Sequence, residues 1–399
     1  ATGWAMLAVL SVRYTAQPQR WAAVPAAVMG LGGILLIGFG PLVRDALDWI
    51  WPPVLLATVV WVFTRARRRL RSWTRRWLLY PVLAVLALAS IGGGYEKAWE
   101  TVDTTAFPMP GQLIDVGGHR LHLNCTGSGG PTVVLEPGAG AMSSSLGLIT
   151  PAVARATRVC VYDRAGRGWS EPATGPQDGA QIAADLHTLL HRANVPGPYV
   201  LAGHSFGGLY VLTFAADYPD EPAVDHDAAT TAPVSATASP AASPAATSGG
   251  ESQDDLVDRV SALASIPARL GLARVYGQLS SDDLPPRSND EALAGSVTAP
   301  NIRSTINEYV QASASVQQAA ALRNFADKPL VVLTADTGND ATWSAAQNRL
   351  ATLSSNSVHR VVEGATHQSL VADRQHAAIT TQAILQVVSA VRNAAPLTR

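Results

Sequence analysis

Residues 199–219 read YVLAGHSFGGLYVLTFAADYP, and this stretch decides the fold. The run YVLA, residues 199–202, is short and apolar, as expected of a buried strand. LYVLTFAADY, residues 209–218, is long enough for a buried helix. Between them Gly203-His204-Ser205-Phe206-Gly207 fits G-x-S-x-G. A serine between two such glycines sits on a sharp strand-to-helix turn, where larger neighbours would clash. The flanking strand and helix supply the context that this turn requires. Ser205 is therefore the candidate nucleophile.

The same alternation continues on both sides. Upstream, residues 111–130 suggest two short strands joined by a glycine turn. PTVVLEPGAGA (131–141) reads as a buried strand running into a glycine loop, and TRVCVYDRAGRGWSEP (157–172) as a strand ending in a polar loop. In residues 181–195, Ile182, Leu186, Leu189 and Leu190 have helical spacing. Downstream, KPLVVLTAD (328–336), TWSAAQNRLATL (342–353) and SVHRVVEG (357–364) predict strand, helix and strand, with a last helix over 377–391. Alternating strands and helices imply a mostly parallel sheet covered on both faces. Residues 223–254 interrupt this order with an Ala-, Ser-, Thr- and Pro-rich stretch that reads as a linker. Residues 255–325 read as a helical lid inserted in the sheet domain. The core is thus expected in two parts, 97–222 and 326–399.

A serine hydroxyl needs a base. His226, His359, His367 and His376 follow Ser205. His359 lies within a predicted strand, His376 near a helix start, and His226 in a region with no clear pattern. His367, in VVEGATHQSL, follows the last strand on a loop able to reach back over Ser205, and is the candidate base. Two backbone N–H groups should form an oxyanion hole. One belongs to Phe206; Gly138 and Ala139 are candidates for the other, with Ala139 preferred.

GHSFGG at 203–208, DRAGRGWS at 163–170, EPGAG at 136–140 and GATH at 364–367 together resemble the α/β-hydrolase family, over residues 112–222 and 328–392. The resemblance implies an eight-stranded, mostly parallel sheet, a lid inserted after the sixth strand, a Ser-His-acid triad, and neither metal nor cofactor. A nucleophilic serine also argues against a dehalogenase, which in this fold uses an aspartate. The resemblance places the acid after the sixth or the seventh strand. Where the sixth strand is expected the chain reads PAVDHDAATT (222–231), with Asp225 and Asp227 interrupting it and Ala229 at the counted position. After the seventh strand stand Asp336 and Asp340. Asp340, 27 residues before His367, is the expected acid, with Asp227 and Asp336 as alternatives. The second and fourth strands are neighbours in this fold, so Cys125 and Cys160, the only two cysteines, are expected to form a disulfide.

The first 96 residues differ from the rest. Eight of the ten tryptophans precede residue 100, and tryptophan gathers at membrane–water interfaces. Residues 21–41 and 77–94 are uncharged apolar runs long enough to cross a bilayer; 49–63 is a shorter third run and 2–12 the end of a fourth. The chain opens on Ala1, already apolar, as a trimmed or partial chain would. Seven arginines crowd residues 64–76. By the positive-inside rule that loop faces the cytoplasm, and everything after Tyr95 lies outside it. A net charge of −1 gives no global field for nucleic acid. The expectation is a multi-pass membrane protein whose outer domain hydrolyses a small apolar acyl ester. The competing readings are a catalytically impaired binding domain and a membrane sensor.

Overall fold

The computed structural model describes residues 2–14, 18–38, 41–69, 73–221, 227–229, 261, 264–278, 283–338 and 341–398. The expected linker at 223–254, His226 and Asp340 lie outside these residues, apart from the backbone of 227–229. The chain divides into two compact units, residues 1–106 with 267–275, and residues 107–266 with 276–399.

The larger unit is built on an eight-stranded sheet. Its strands are β1 (Gln112–Asp115), β2 (Arg120–Thr126), β3 (Thr132–Glu136), β4 (Val159–Tyr162), β5 (Tyr199–Gly203), β6 (Asp227–Ala229), β7 (Leu330–Ala335) and β8 (Ser357–Val362), in the spatial order 1-2-4-3-5-6-7-8. From β4 to β8 the pairs are parallel, while β1 and β2 run antiparallel. Side chains alternate across a strand, so a parallel strand covered on both faces must be apolar throughout. In β3, Val133 and Leu135 enter one core layer and Val134 the other. The first layer packs Val200, Val331 and Leu333 under Ile384, Val387 and Val388 of the last helix, Arg374–Arg392. The opposite layer packs Leu201 under Leu186, Leu189 and Leu190 of the helix Gly179–Arg192. Asp178 caps that helix by accepting from the Gln181 N–H, 2.9 Å away.

The sixth strand is present, described over Asp227–Ala229. Asp227, Ala228 and Ala229 pair with Val331, Val332 and Leu333 of β7, and Asp227 also pairs with Ala202 of β5. Asp227, expected to interrupt the strand, is itself part of it. Cys125 and Cys160 occupy directly opposed positions on β2 and β4, with Cα atoms 4.0 Å apart and their sulfurs at bonding distance.

In the smaller unit the helices are Thr2–Tyr14, Ala23–Gly38, Pro41–Arg69 and Trp73–Ala106. Four runs were expected to span a membrane. Two helical stretches are long and apolar enough, Trp49–Arg68 and Leu79–Ala106. The first two helices are described over 13 and 16 residues. Trp4, Trp21 and Trp61 form a chain of ring contacts at 6.1 and 6.4 Å. Pro52 and Pro53 sit inside the third helix; Ser90 donates to the Pro52 carbonyl at 2.5 Å. Residues 267–275, expected in the lid, group with these helices: Arg274 makes two 3.0 Å hydrogen bonds to Glu96 and an ion pair of 2.7 Å with Asp103.

Candidate active site

Ser205 lies between β5 and the helix Phe206–Asp217, with φ 58° and ψ −124°. A side chain other than glycine pays roughly 1–3 kcal/mol for such a backbone, which persists only where the surroundings enforce it. Two glycines enforce it here. A Cβ on Gly203 would lie 2.5 Å from the Gly207 carbonyl carbon, and one on Gly207 would lie 2.3 Å from the Glu136 carbonyl oxygen. Strand, turn and helix thus close tightly against the end of β3, and the serine is left partly exposed at the rim.

His367, on the loop after β8, is brought to this turn. The His204 Nε2–H donates to the His367 carbonyl at 3.1 Å, and the two rings lie 4.8 Å apart. Burial, and then the neighbouring His367, pushes the His204 pKa down to about 3, so its ring stays neutral and keeps that proton. Burial also lowers the His367 pKa below its ordinary 6.5. The Trp343 ring meets His367 edge-on at 6.0 Å. Among the described residues no hydrogen bond joins the Ser205 hydroxyl to the His367 ring.

Of the two expected oxyanion donors, Phe206 follows the serine directly, and Ala139 follows Gly138, which packs against it. Phe206 is the first residue of its helix, and Ala139 lies on the loop after β3. Among the described residues, neither amide N–H has a protein acceptor. Gly138 packs close beneath them: a Cβ there would stand 3.1 Å from that of Ser205.

Of the candidate acids, Asp340 lies outside the described residues. Asp336 stands one residue beyond β7, and its carboxylate accepts from the Gly364 N–H at 3.3 Å. Asp227 begins β6 level with Ala202, three residues before Ser205, so its backbone lies short of the sheet edge that carries the serine. His359 is where its strand predicts, bonded to Thr334 and Asn348. His376 pairs with Asp373 at the start of the last helix.

A buried ionic cluster that no sequence motif announced lies behind the glycine loop after β3. Arg164 donates to the Glu136 carboxylate, to the Pro137 carbonyl (2.7 Å) and to the Gly138 carbonyl (2.7 Å). It also pairs with Glu308 at 2.7 Å, on the inserted helix Ala299–Val310. Arg167, fully buried, pairs with the same carboxylate at 2.6 Å, and Tyr162 donates to Glu136. Two guanidinium and two carboxylate groups balance, as buried charges must. Burial pushes the Glu136 pKa up to about 7 against the pull of Arg164. Burial would raise Glu308 too, but Arg164 and then Arg167 outweigh it and hold its carboxyl below the usual range. The cluster ties the loop after β3 to the inserted helix. Only parts of it stand in motifs: two arginines in DRAGRGWS and a glutamate ending an apolar strand. Their partner, Glu308, stands 144 and 141 residues away. Glu308→Gln leaves two buried cations facing one carboxylate. The expected loss is about 3–5 kcal/mol in denaturant-monitored stability, the scale for breaking a buried pair. A loss under about 1 kcal/mol would show that the cluster does not hold the inserted helix.

Residues 133–381 match the sequence model of the alpha/beta hydrolase family. The probable transporter efuK of Hormonema carpetanum is 33% identical over 108 residues, which are 26% of this chain and 16% of that protein. An uncharacterized protein of Schizosaccharomyces pombe is 29% identical over 203 residues, 43% of this chain and 36% of that one. The chain spans between a sixth and about a third of the length of these two relatives. In three dimensions, a protein of Pseudomonas aeruginosa described as a candidate epoxide hydrolase aligns with a TM-score of 0.52 and 18% identity, over 71% of this chain and 96% of its own; that likeness shows the fold. The family match covers well over half of the 399 residues: the chain belongs to the alpha/beta hydrolase family.

Proposed function

We propose that this chain is a membrane-anchored serine hydrolase acting on small apolar acyl esters, with thioesters and amides as related substrates. The observation that carries the reading is the strained, partly exposed Ser205 flanked by two amides without protein acceptors, with His367 beside it. Ser205 Oγ attacks the acyl carbon while the His367 ring takes its proton. The carbonyl oxygen, now an anion, accepts from the Phe206 and Ala139 amides. The protonated ring gives its proton to the departing alcohol, leaving an acyl-serine. Water, deprotonated by the same ring, attacks the acyl carbon; Ser205 Oγ recovers the proton and the carboxylic acid leaves. Asp340 completes the triad by orienting His367 and stabilising its charged form. A serine-reactive fluorophosphonate tests the reading directly: it should label the chain at Ser205. A folded chain that stays unlabelled would instead favour a binding domain.

The base works only when neutral. Because burial lowers the His367 pKa, the active form persists below pH 6.5 and is lost as pH falls through the lowered value. The acid limb of kcat/KM is expected to have its midpoint below pH 6.5. A midpoint above it would assign that limb to another group.

The apolar helices Trp49–Arg68 and Leu79–Ala106 anchor the chain. The arginine-rich residues 64–76 between them lie in the cytoplasm, so the hydrolase unit lies outside it. An oxidising compartment suits the opposed Cys125 and Cys160, which form a disulfide there. Denatured protein from native membranes should show no free thiol before reduction and two after. Two free thiols without reductant would remove both the bond and its support for an outer location.

A further inference from the structure

The structure assigns a divalent-cation site to His187, His191 and Glu221, which the hydrolytic chemistry does not use. His187 and His191 are one turn apart on the helix Gly179–Arg192, so their rings share a face, 4.5 Å apart. Both turn Nε2 to the same oxygen of Glu221, Oε1, at 2.8 and 2.6 Å. The three ligand atoms lie within 4.8 Å of one another. The other carboxylate oxygen, Oε2, is buried and has no hydrogen-bond partner among the described residues. A carboxylate serving only as acceptor has little reason to crowd two imidazoles on one oxygen and bury the other unpaired. Two imidazoles and a carboxylate suit a borderline cation such as Zn²⁺.

The scaffold limits how the ligands can move. His187 stacks on Tyr218 with rings 4.0 Å apart and 11° from parallel. Its side chain is 29% exposed and that of Glu221 is 22% exposed, while His191 at 57% remains open to solvent. Around a tetrahedral Zn²⁺, ligand atoms stand about 3.3 Å apart. The N–O distances of 2.8 and 2.6 Å must therefore widen by about 0.5 and about 0.7 Å, the larger shift falling on the exposed His191 side chain. Each neutral ring moves its proton from Nε2 to Nδ1 and gives its Nε2 lone pair to the metal. Glu221 contributes one or both oxygens, and water fills the open position. The cation ties the helix Gly179–Arg192 to the segment that follows the helix Phe206–Asp217.

Untagged full-length protein in detergent, stripped with chelator, should bind one Zn²⁺ per chain by isothermal titration with a Kd below about 100 µM. Co²⁺ in place of Zn²⁺ should give visible absorption bands. His191→Ala, at the most exposed ligand, should weaken Zn²⁺ binding at least tenfold with unchanged circular dichroism, and Glu221→Gln should do the same. His187→Ala is the less secure variant because it also removes the Tyr218 stack, so the proposal rests on the other two. No binding at about 100 µM Zn²⁺, or binding unchanged in both His191→Ala and Glu221→Gln, would overturn it.

Discussion

Ser205→Ala is expected to reduce turnover of short-chain nitrophenyl esters to background and to abolish labelling by fluorophosphonate. Nucleophile removal in a well-studied serine protease costs on the order of 10⁶-fold in kcat, because the rest of the triad has nothing to activate. Any remaining rate would come from binding and from the oxyanion amides. The fold should survive. The serine hydroxyl makes no hydrogen bond among the described residues, and alanine retains the Cβ at a turn that the contacts of Gly203 and Gly207 already enforce. Unfolding midpoints of the variant and the parent should agree within what a surface substitution produces, about 0.5 kcal/mol. Near-parental activity in the variant would place the nucleophile elsewhere. Loss of activity together with loss of fold would leave the labelling site, mapped by mass spectrometry on the parent, as the deciding measurement.

Asp340→Asn should lower kcat far more than Asp336→Asn or Asp227→Asn. The triad acid holds the base in the productive tautomer and stabilises the imidazolium that forms as the serine attacks. An amide of the same shape supplies neither the charge nor the right hydrogen bonding, and a loss on the order of 10⁴-fold is the scale of that change in a serine protease. Two structural facts sharpen the contrast. The Asp336 carboxylate already accepts from the Gly364 N–H, so its amide variant mainly weakens one loop contact. Asp227 begins β6 beside Ala202, where its backbone lies short of the turn that carries Ser205. A large loss in Asp336→Asn would move the acid to the end of β7. A large loss in Asp227→Asn would move it to the sixth strand. Three active variants would make the centre a Ser205–His367 dyad.

The parts of this protein legible in the sequence are those governed by local rules. Steric crowding dictates the glycines around Ser205, and that pattern identified the turn that the structure shows. Alternation and helical spacing marked β3, β5, β7 and the helix Gly179–Arg192, because a strand repeats every two residues and a helix about every 3.6. The candidate base was chosen by chain order, and the structure brings the backbone of His367 onto His204, the residue before the serine. Apolar length marked the membrane candidates, and two of the four lie in helical stretches long and apolar enough to cross a bilayer among the described residues.

By itself, then, the sequence determined the serine turn, the alternation of strands and helices, and the apolar character of the N-terminal unit. Only the tertiary structure decided which distant groups meet. Glu136, Arg164 and Arg167 could be noted in their motifs, but nothing in the sequence joins them to Glu308, with which they are buried behind the loop after β3. Glu221 is likewise an unremarkable loop acid until the fold sets it against His187 and His191, 34 and 30 residues earlier. The sixth strand was expected within 222–231, but its register against Val331, Val332 and Leu333 of β7 is seen only in the fold. Local backbone sterics and side-chain periodicity act between residues a few positions apart and leave a spacing that can be read. Ion pairing and strand registry act between segments that chain folding brings together, and they leave no spacing at all.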